Sequence, residues 1–406
     1  MRILHTADWH LTETLKLVDR HPHIVARLEE IAGLLEEHQV DVMIVAGDMF
    51  SQCTRMDDLN RAMADVNRIF KPFLLRGGTM IAISGNHDNE DFFAMLRSAL
   101  DLATPIDPRQ TGPRPGGRLY IAAQPTILEL ADKARQSIQF ALLPYPTSRR
   151  YLRNDEINYR SLAEKNRRLH DALIKRLNGM MNGRTNPALY SVLVAHIHVR
   201  GSRLHNLYHA SEKDDIIFQE GDLPTHWEYM ALGHIHKPQA IEGIPYARYA
   251  GSPERLNKGE RDDEKGVVLV EIGPQGRRGD PVCLPLRATP FYHLEILDPD
   301  TDLQGLRERY PEHERALVSY RLVYKPGEHD PRRIAQELQA IFPNIYDWRE
   351  EREGLLPDDF GVKGETSDVL RDAPTVIENY IQERLADHPD KEAVLALMQE
   401  LLAAVD

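Results

Sequence analysis

Short apolar runs recur along the chain, and each is followed by a carboxylate, an amide or a histidine. The five clearest runs are residues 1–7, 42–46, 80–84, 191–195 and 229–232. Runs of this length, rich in β-branched residues, are typical of strands buried on both faces of a sheet. The pattern therefore predicts five interior strands whose C-terminal ends deliver polar side chains to one edge of a sheet.

Between these runs, apolar residues recur at helical intervals. Residues 23–38 and 57–70 both show this spacing, so strands and helices alternate up to about residue 85. This alternation is typical of βαβ units and a largely parallel sheet. Residues 104–118 are rich in proline and glycine and predict an exposed loop, whereas residues 138–143 predict a further strand.

Beyond His236 the pattern predicts a different organisation. Strands are expected at 246–249, 266–272, 291–297, 317–324 and 344–349, with a helix at 331–342. A charged stretch with glycines and proline then has the composition of a linker, and two short amphipathic helices follow it. The predicted division is a first domain at 1–287, a small α/β domain at 288–350, a linker at 351–367 and a helical tail at 368–406.

The composition limits the compartment and the partners. The chain has 406 residues and a formal net charge of −13. Taken over the whole chain, this negative charge argues against a nucleic-acid partner. No apolar run approaches the ~20 residues of a membrane-spanning helix, and no signal segment precedes the first strand. We therefore expect a cytoplasmic protein without a membrane partner. The two cysteines, Cys53 and Cys283, match neither a disulfide framework nor a zinc-finger spacing.

The charge is unevenly distributed. Residues 149–184 hold ten lysines and arginines against four acidic residues. A solvated helix face explains such a run, and so does a surface that follows a phosphate backbone. In the second interpretation, Arg149, Arg150 and Arg153 are the candidate DNA contacts.

The residues after the first two strands can bind cations. In Asp8-Trp9-His10 a carboxylate and an imidazole lie two positions apart, and on an extended strand end they point the same way. Asp48, after Gly47, has two carboxylate oxygens that can bridge two cations. Each motif alone is also compatible with an ordinary polar strand end.

The third strand leads into Gly85-Asn86-His87-Asp88. Gly85 permits a sharp exit from the strand, and Asn86 offers a neutral carbonyl oxygen as a ligand. His87 would then face the substrate rather than a cation. Asp88 is expected either to orient that imidazole or to cap the following helix.

The last two strands end in paired histidines. Gly233-His234-Ile235-His236 places two histidines on one side of a strand end, and His196 and His198 repeat that spacing. The spacing leaves open which of His196 and His198 binds a cation. Mixed histidine, aspartate and asparagine ligands suit manganese, iron or zinc better than calcium. A site for two such cations is typical of enzymes that hydrolyse a phosphoester with water and without a covalent intermediate.

These residues, in this order, resemble the calcineurin-like metallophosphoesterase superfamily over about residues 1–272. A longer resemblance, to the SbcD family of nuclease subunits in bacterial SbcCD repair complexes, includes three further segments. They are the opening residues 2–11, Tyr249-Ala250-Gly251-Ser252-Pro253 and Glu264-Lys265-Gly266. The resemblance implies an α/β fold with a metallophosphoesterase β-sandwich flanked by helices. It also implies a small α/β capping domain and a helical, partner-binding C-terminal tail.

The resemblance also implies a role for each matched residue. Asp8, His10, Asp48 and His236 would hold one metal, and Asp48, Asn86, His196 and His234 would hold the other. His87 would act as the acid at the leaving group, with Asp88 beside it. The family further implies two divalent ions, most often Mn²⁺, and a nuclease acting on DNA ends and hairpins.

The implied partners are DNA and an SbcC-type coiled-coil ATPase, with a homodimer of this chain inside a heterotetramer located at the nucleoid. The sequence departs from the family pattern at Thr12 and Ser51, where glycine and aspartate are usual. Two alternatives remain open at this stage. One is a stand-alone phosphodiesterase or phosphatase for a small substrate, and the other is a non-catalytic scaffold.

Overall fold

The structure of the protein is a computed structural model that describes most of the chain. The described residues are 1–51, 55–105, 112–152, 159–183, 186–203, 216–223, 227–353 and Leu397. Arg153, nearly all of the predicted linker and all of the predicted tail except Leu397 lie outside them. No helix in the described ranges is both long and apolar enough to cross a lipid bilayer.

The strands are short and are distributed over the whole described chain. In chain order they are β1 (Arg2–Thr6), β2 (Thr14–Leu15), β3 (Val18–Asp19), β4 (Val42–Val45), β5 (Thr79–Ile83), β6 (Leu119–Ala122), β7 (Thr126–Ala131), β8 (Ser137–Leu143), β9 (Tyr190–His196), β10 (His198–Val199), β11 (Ile217–Phe218), β12 (Tyr229–Gly233), β13 (Gln239–Ile241), β14 (Ile244–Tyr249), β15 (Gly266–Gly273), β16 (Gly276–Arg277), β17 (Val282–Pro285), β18 (Phe291–Ile296), β19 (Leu317–Tyr324) and β20 (Asn344–Arg352).

The helices predicted at 23–38, 57–70 and 331–342 are present, with ends that differ by a few residues. The helices of the described chain are α1 (His21–Glu37), α2 (Met56–Leu75), α3 (Glu90–Ala103), α4 (Ser148–Tyr151), α5 (Leu162–Gly183), α6 (Pro299–Asp302), α7 (Leu306–Arg309) and α8 (Pro331–Ile341). The helix predicted at 57–70 continues to Leu75 because Phe70 and Phe73 remain buried on its apolar face. Strands β6 and β7 are not predicted by the pattern, since neither is a continuous apolar run.

Two sheets form the main layers of the larger part of the molecule. The first has the order β16-β15-β1-β4-β5-β6, with β17 also paired to β15, and the second has the order β13-β14-β12-β9-β8-β7. Strands β1, β4, β5 and β6 run parallel, as do β8, β9, β12 and β14. The expectation of a single sheet is therefore wrong, because β9 and β12 belong to the second sheet.

Alternate residues of the interior strands enter different cores. Ile3, Val42 and Ile44 of the first sheet share an apolar cluster with Val192 and Val194 of the second, so this cluster lies between the sheets. The outer face of the first sheet packs on α1 and α2, and the outer face of the second packs on α5. The β-sandwich flanked by helices is confirmed, and strands buried on both faces are explained by it.

The chain divides into two compact units. Among the described residues, the larger contains those of 1–294, 305–320 and 337–348, and the smaller contains 295–304, 321–336 and 349–353. A three-stranded sheet has the order β18-β19-β20. The domain limits proposed from the sequence stay a prediction, and every candidate metal ligand lies in the larger unit.

Candidate metal centre

The C-terminal ends of strands from both sheets supply the candidate ligands. The parallel register pairs Thr6 with Val45 in the first sheet and Gly233 with His196 in the second. Hydrogen bonds then continue past the strands, from Asp8 N to Gly47 O at 3.0 Å. Because parallel strands end together, their terminal side chains converge on one region.

The backbone at several candidate ligands lies in the left-handed region. The φ angles are 52° at Asp8, 48° at His10, 49° at Asp48 and 98° at His234. The assumption that Asp8 and His10 lie on an extended strand end is therefore wrong, although the two side chains do meet. Left-handed backbone is unfavourable for residues with a side chain and is concentrated at functional sites, where the surrounding structure maintains it.

One group of ligand atoms gathers around His10. Candidate donor atoms of Asp8, His10 and His236 all lie within 4.8 Å of one another. The Nε2 atom of His10 lies 3.2 Å from Nε2 of His236 and 3.6 Å from Oδ2 of Asp48. The structure thus brings together the four residues predicted for the first cation.

A second group gathers around Asn86. Its Oδ1 atom lies 2.9 Å from His196 Nε2 and 3.1 Å from His234 Nδ1. The same His196 nitrogen lies 3.3 Å from Oδ2 of Asp48, so Asp48 Oδ2 faces both groups. The four residues predicted for the second cation are also brought together.

This geometry favours His196 over His198 as the ligand. His196 has Nε2 in the second group, while its Nδ1 lies 2.8 Å from the carbonyl oxygen of Ala46. The ring of His198 is buried too, but its centroid lies 6.1 Å from that of His234, compared with 5.2 Å for the ring of His196. In the described chain His198 joins no cluster of close donor atoms.

The electrostatics of the buried donors indicate a place for positive charge. Burial raises the pKa of Asp8. Burial alone would also raise the pKa of Asp48, but the His196 imidazole holds it well below its usual range. Burial would lower the pKa of His196, but the Asp48 carboxylate raises it to about 9. Without a cation, the negative charge of the Asp48 carboxylate is therefore balanced by a protonated His196.

The donor chemistry fits two divalent cations. The Nε2 atoms of His10 and His236 face each other at 3.2 Å beside a buried carboxylate, and burial lowers the pKa of His10 to about 3. Imidazole nitrogens and carboxylate oxygens that converge in this way are suited to borderline divalent metals. The candidate ligands are Asp8, His10, Asp48, Asn86, His196, His234 and His236.

Two glycines allow the strand ends to approach this closely. A Cβ atom on Gly85 would lie 2.0 Å from Oδ1 of Asp48, and one on Gly233 would lie 1.9 Å from Ala46 O. Neither distance is sterically possible, so any side chain at these positions would displace the Asp48 region. Gly85 was expected to permit a sharp turn, and the structure shows that close packing against Asp48 also requires a glycine there.

His87 lies at the edge of the centre. Its backbone N–H donates to Oδ1 of Asp48 at 2.9 Å, and its half-buried ring lies 4.8 Å from the ring of His10, edge to face. A ring nitrogen of His87 lies within 4.8 Å of donor atoms of His10 and Asp48. That His87 faces the substrate rather than a cation therefore stays a prediction.

Asp88 has a different function from the two that were expected. Its carboxylate accepts hydrogen bonds from the N–H groups of Phe50 at 3.0 Å and Gly85 at 2.8 Å. The helix that follows is capped instead by Asn89, whose Oδ1 accepts from two backbone N–H groups. The described chain has no hydrogen bond between Asp88 and His87. Asp88 therefore holds the loop in place, and the expectation that it caps the helix or orients His87 is wrong.

The three candidate DNA contacts fall into three classes. Arg149 is 66% exposed and lies 2.6 Å from Asp91. Arg150 is buried and donates to Ala123 O at 3.0 Å, Tyr145 O at 2.8 Å and Ser84 Oγ at 2.7 Å. Arg153 lies outside the described residues.

Arg150 is thus a structural connection between strand ends, and its assignment as a DNA contact is wrong. Its partners follow strands β5, β6 and β8, so one guanidinium joins the ends of strands from both sheets. We expect Arg150→Met to lower the free energy of unfolding by about 3 kcal/mol, because three buried acceptors lose their donor. Chemical denaturation measures this loss, and Arg149→Met is the control that should leave stability nearly unchanged. Equal stabilities of the two variants would contradict the structural assignment.

Sequence reasoning missed two residues beside the centre. The Tyr145 ring lies 5.8 Å from that of His234 and 6.0 Å from that of His196. Glu260 is buried, and its Oε1 lies 3.0 Å from Nδ1 of His236. Glu260 belongs to a run of charged residues typical of an exposed loop, so no local signal indicates its burial.

Comparisons with known proteins agree with this geometry. The family model for calcineurin-like phosphoesterases matches residues 1–238. The chain is 30% identical over 282 residues to the SbcD component of the SbcCD nuclease of Bacillus subtilis, a match that covers 68% of this chain and 67% of that protein. The SbcD proteins of two other bacteria are similar. The one from Staphylococcus epidermidis is 23% identical, covering 85% of this chain and 84% of its own, and the one from Escherichia coli is 28% identical, covering 66% and 64%.

One solved structure is similar in outline. A dimetal phosphatase from Danio rerio aligns with 70% of this chain and 98% of its own at 10% identity and a TM-score of 0.39. A score of this size supports no inference about activity.

Proposed function

We propose that the protein hydrolyses phosphodiester bonds at DNA ends and hairpins. The chain belongs to the calcineurin-like phosphoesterase family and is a metal-dependent nuclease subunit of the SbcD type. One observation carries the proposal. Asp48 Oδ2 faces two groups of donors, one with His10 at 3.6 Å and one with His196 at 3.3 Å. A carboxylate placed in this way is the arrangement that a pair of cations requires.

The cations are proposed to be Mn²⁺, as the resemblance to the SbcD family implies, and the carboxylate and amide oxygens of Asp8, Asp48 and Asn86 are donors that suit Mn²⁺. When bound, two such cations would supply Lewis-acid stabilisation of the charge on the attacking and leaving oxygens at phosphorus. The protein holds the donors rigidly through left-handed backbone and through the hydrogen bond from His196 to Ala46 O. Its own contribution is therefore a preformed set of ligands with little reorganisation.

His87 is proposed to move the proton at the leaving group. Its backbone is fixed by the N–H group that donates to Asp48, while its half-buried ring retains access to solvent. An imidazole in this position can donate a proton to the departing alkoxide oxygen of a broken phosphodiester. His10 packs edge to face against it and limits the rotation of the ring.

The DNA partner is proposed to contact the exposed guanidinium of Arg149, which lies just before the buried Arg150 on α4. Helix α5 continues the basic stretch with its apolar face packed on the second sheet and its charged residues toward solvent. Cationic side chains of this kind bind phosphates and make affinity dependent on salt. Arg149 is therefore the first residue to test for DNA affinity.

The protein partner is proposed to be an SbcC-type coiled-coil ATPase, with two copies of this chain in a heterotetramer. The names of the similar proteins, which are components of an SbcCD nuclease, support this assembly. A DNA substrate and this ATPase also lead us to propose a cytoplasmic location at the nucleoid. The tail at 368–406 is proposed as the segment that binds the ATPase.

A nuclease assay on defined DNA tests the function. The purified chain, alone and with its ATPase, is incubated with duplex ends, hairpins and a small chromogenic phosphodiester, with Mn²⁺ or with EDTA. We expect Mn²⁺-dependent cleavage of the DNA substrates, complete inhibition by EDTA and faster cleavage of duplex ends with ATPase and ATP. Cleavage of the small phosphodiester without cleavage of any DNA, in the presence of the ATPase, would overturn the proposal.

A further inference from the structure

Glu260 is a carboxylate without solvent exposure that lies directly behind the metal centre. Its Oε1 atom accepts from Nδ1 of His236 at 3.0 Å and from Nδ2 of Asn257 at 2.8 Å. Its Oε2 atom accepts from the N–H of Leu256 at 3.2 Å. A buried carboxylate with this many partners holds its position closely.

Lys265 is a buried cation that contacts both Glu260 and the backbone of His236. Its Nζ atom lies 2.7 Å from Oε2 of Glu260, 2.9 Å from Oγ of Ser252 and 2.9 Å from the carbonyl oxygen of His236. The lysine thus contacts the backbone of His236 and also the carboxylate that contacts the ring of His236. Neither Lys265 nor Glu260 has an exposed side chain.

This arrangement selects one tautomer of His236. A carboxylate accepts hydrogen bonds, so Nδ1 carries the proton and Nε2 carries the lone pair. That Nε2 atom is the one that faces His10 Nε2 at 3.2 Å. His196 is oriented differently, because its Nδ1 is bound to the backbone oxygen of Ala46 rather than to a carboxylate.

We propose that Glu260, held by Lys265, is a positioning residue that sets the affinity of the cation bound by Asp8, His10 and His236 and leaves the other cation unaffected. The inference rests on the proposed two-cation centre and names the part of the chain that controls one half of it. Carboxylates that hold a histidine ligand by its second nitrogen typically change metal affinity 10–100-fold when removed. Among the seven candidate ligands, Glu260 is hydrogen-bonded to His236, and His236 belongs to the first group alone.

The same loop provides a matched control. Glu254 is also fully buried and accepts from Arg255 N at 2.7 Å, Thr289 N at 2.8 Å and Thr289 Oγ1 at 2.8 Å. Glu254→Gln therefore removes a comparable buried charge six residues away. Any loss of metal that follows from general loosening should appear in both variants.

The experiment measures Mn²⁺ binding to the full chain by calorimetry and the bound metal by mass spectrometry. We expect Glu260→Gln to weaken one Mn²⁺ by about 10–100-fold and the other by less than twofold. Glu260→Ala should weaken the same cation further, since glutamine retains an acceptor for Nδ1–H. Both affinities in Glu254→Gln should match those of the unchanged protein.

Isotherms of Glu260→Gln and Glu254→Gln that coincide would overturn the inference, as would equal weakening of both cations by Glu260→Gln. If the unchanged protein binds no Mn²⁺, the proposed metal centre itself fails. The variants can unfold, since the buried Lys265 would lose its counter-ion. A second measurement therefore uses the unchanged protein, labelled with ¹⁵N-histidine and loaded with diamagnetic Zn²⁺. It should show His236, identified by its absence in His236→Gln, protonated at Nδ1, and protonation at Nε2 would overturn the inference.

Discussion

Asp48→Ala is expected to remove both cations and to reduce hydrolysis by at least about 10³-fold, since several kcal/mol of transition-state stabilisation depend on them. The reason is geometric. Oδ2 of Asp48 lies 3.6 Å from His10 Nε2 and 3.3 Å from His196 Nε2, so it is the donor that the two groups share. Asp8 also has a donor atom within 4.8 Å of those of Asp48 and His196, but both of its oxygens already accept from the N–H of His234, at 3.0 and 3.2 Å.

Two measurements are needed for this prediction. Elemental analysis gives the number of bound cations, and a cleavage assay with saturating Mn²⁺ gives the rate. Asp41→Asn is the control, because Asp41 lies at the opposite end of the same strand and accepts a hydrogen bond from the N–H of Arg2 at 2.8 Å. A folded Asp48→Ala protein that retains two cations and normal cleavage would show that the shared carboxylate is not required.

His87→Gln is expected to retain both cations and the fold while the rate falls by about 10²-fold or more, as for loss of a general acid. The backbone N–H of His87, which donates to Asp48 at 2.9 Å, is unaffected by the substitution. The change therefore removes only the ring, and its effect should fall on kcat more than on KM.

The control for this variant is His198→Gln, because His198 is a buried histidine near the centre that does not join the donor clusters of the described chain. Loss of one cation from His87→Gln would identify His87 as a ligand, which its proximity to His10 and Asp48 allows. A substrate with a better leaving group separates the roles further. Its cleavage should be much less sensitive to His87→Gln, since a good leaving group needs no proton.

The polar residues at strand ends could be predicted from the sequence because their signals are local. An apolar run of β-branched residues followed by Gly-Asp or Gly-His indicates both a buried strand and the position of its end. This reasoning predicted Asp8, Asp48, Asn86, His234 and one of the two candidates His196 and His198 as ligands, and the structure brings these side chains together. It could not choose between the last two, because strand periodicity places both on the same side.

The burial of charged residues could not be predicted, because it depends on partners distant in the chain. The basic neighbourhood of Arg150 indicates a DNA surface, yet its partners Ser84 and Ala123 come from strands that precede it by 27 residues or more. Glu260 has the local surroundings of an exposed loop. Its buried position beside the centre comes from its contact with His236, which lies 24 residues away, whereas Lys265, five residues away, balances its charge.

The sequence by itself determined which side chains end the strands, because backbone periodicity and apolar composition are properties of short segments. It also determined the chemical class of the donors, since that class is a list of residue types. Only the tertiary structure decided that two sheets contribute ligands, that left-handed backbone orients Asp8 and His10, and that Glu260 lies behind His236. These features arise from packing between segments far apart in the chain, and packing depends on the complete arrangement of the strands rather than on any one of them.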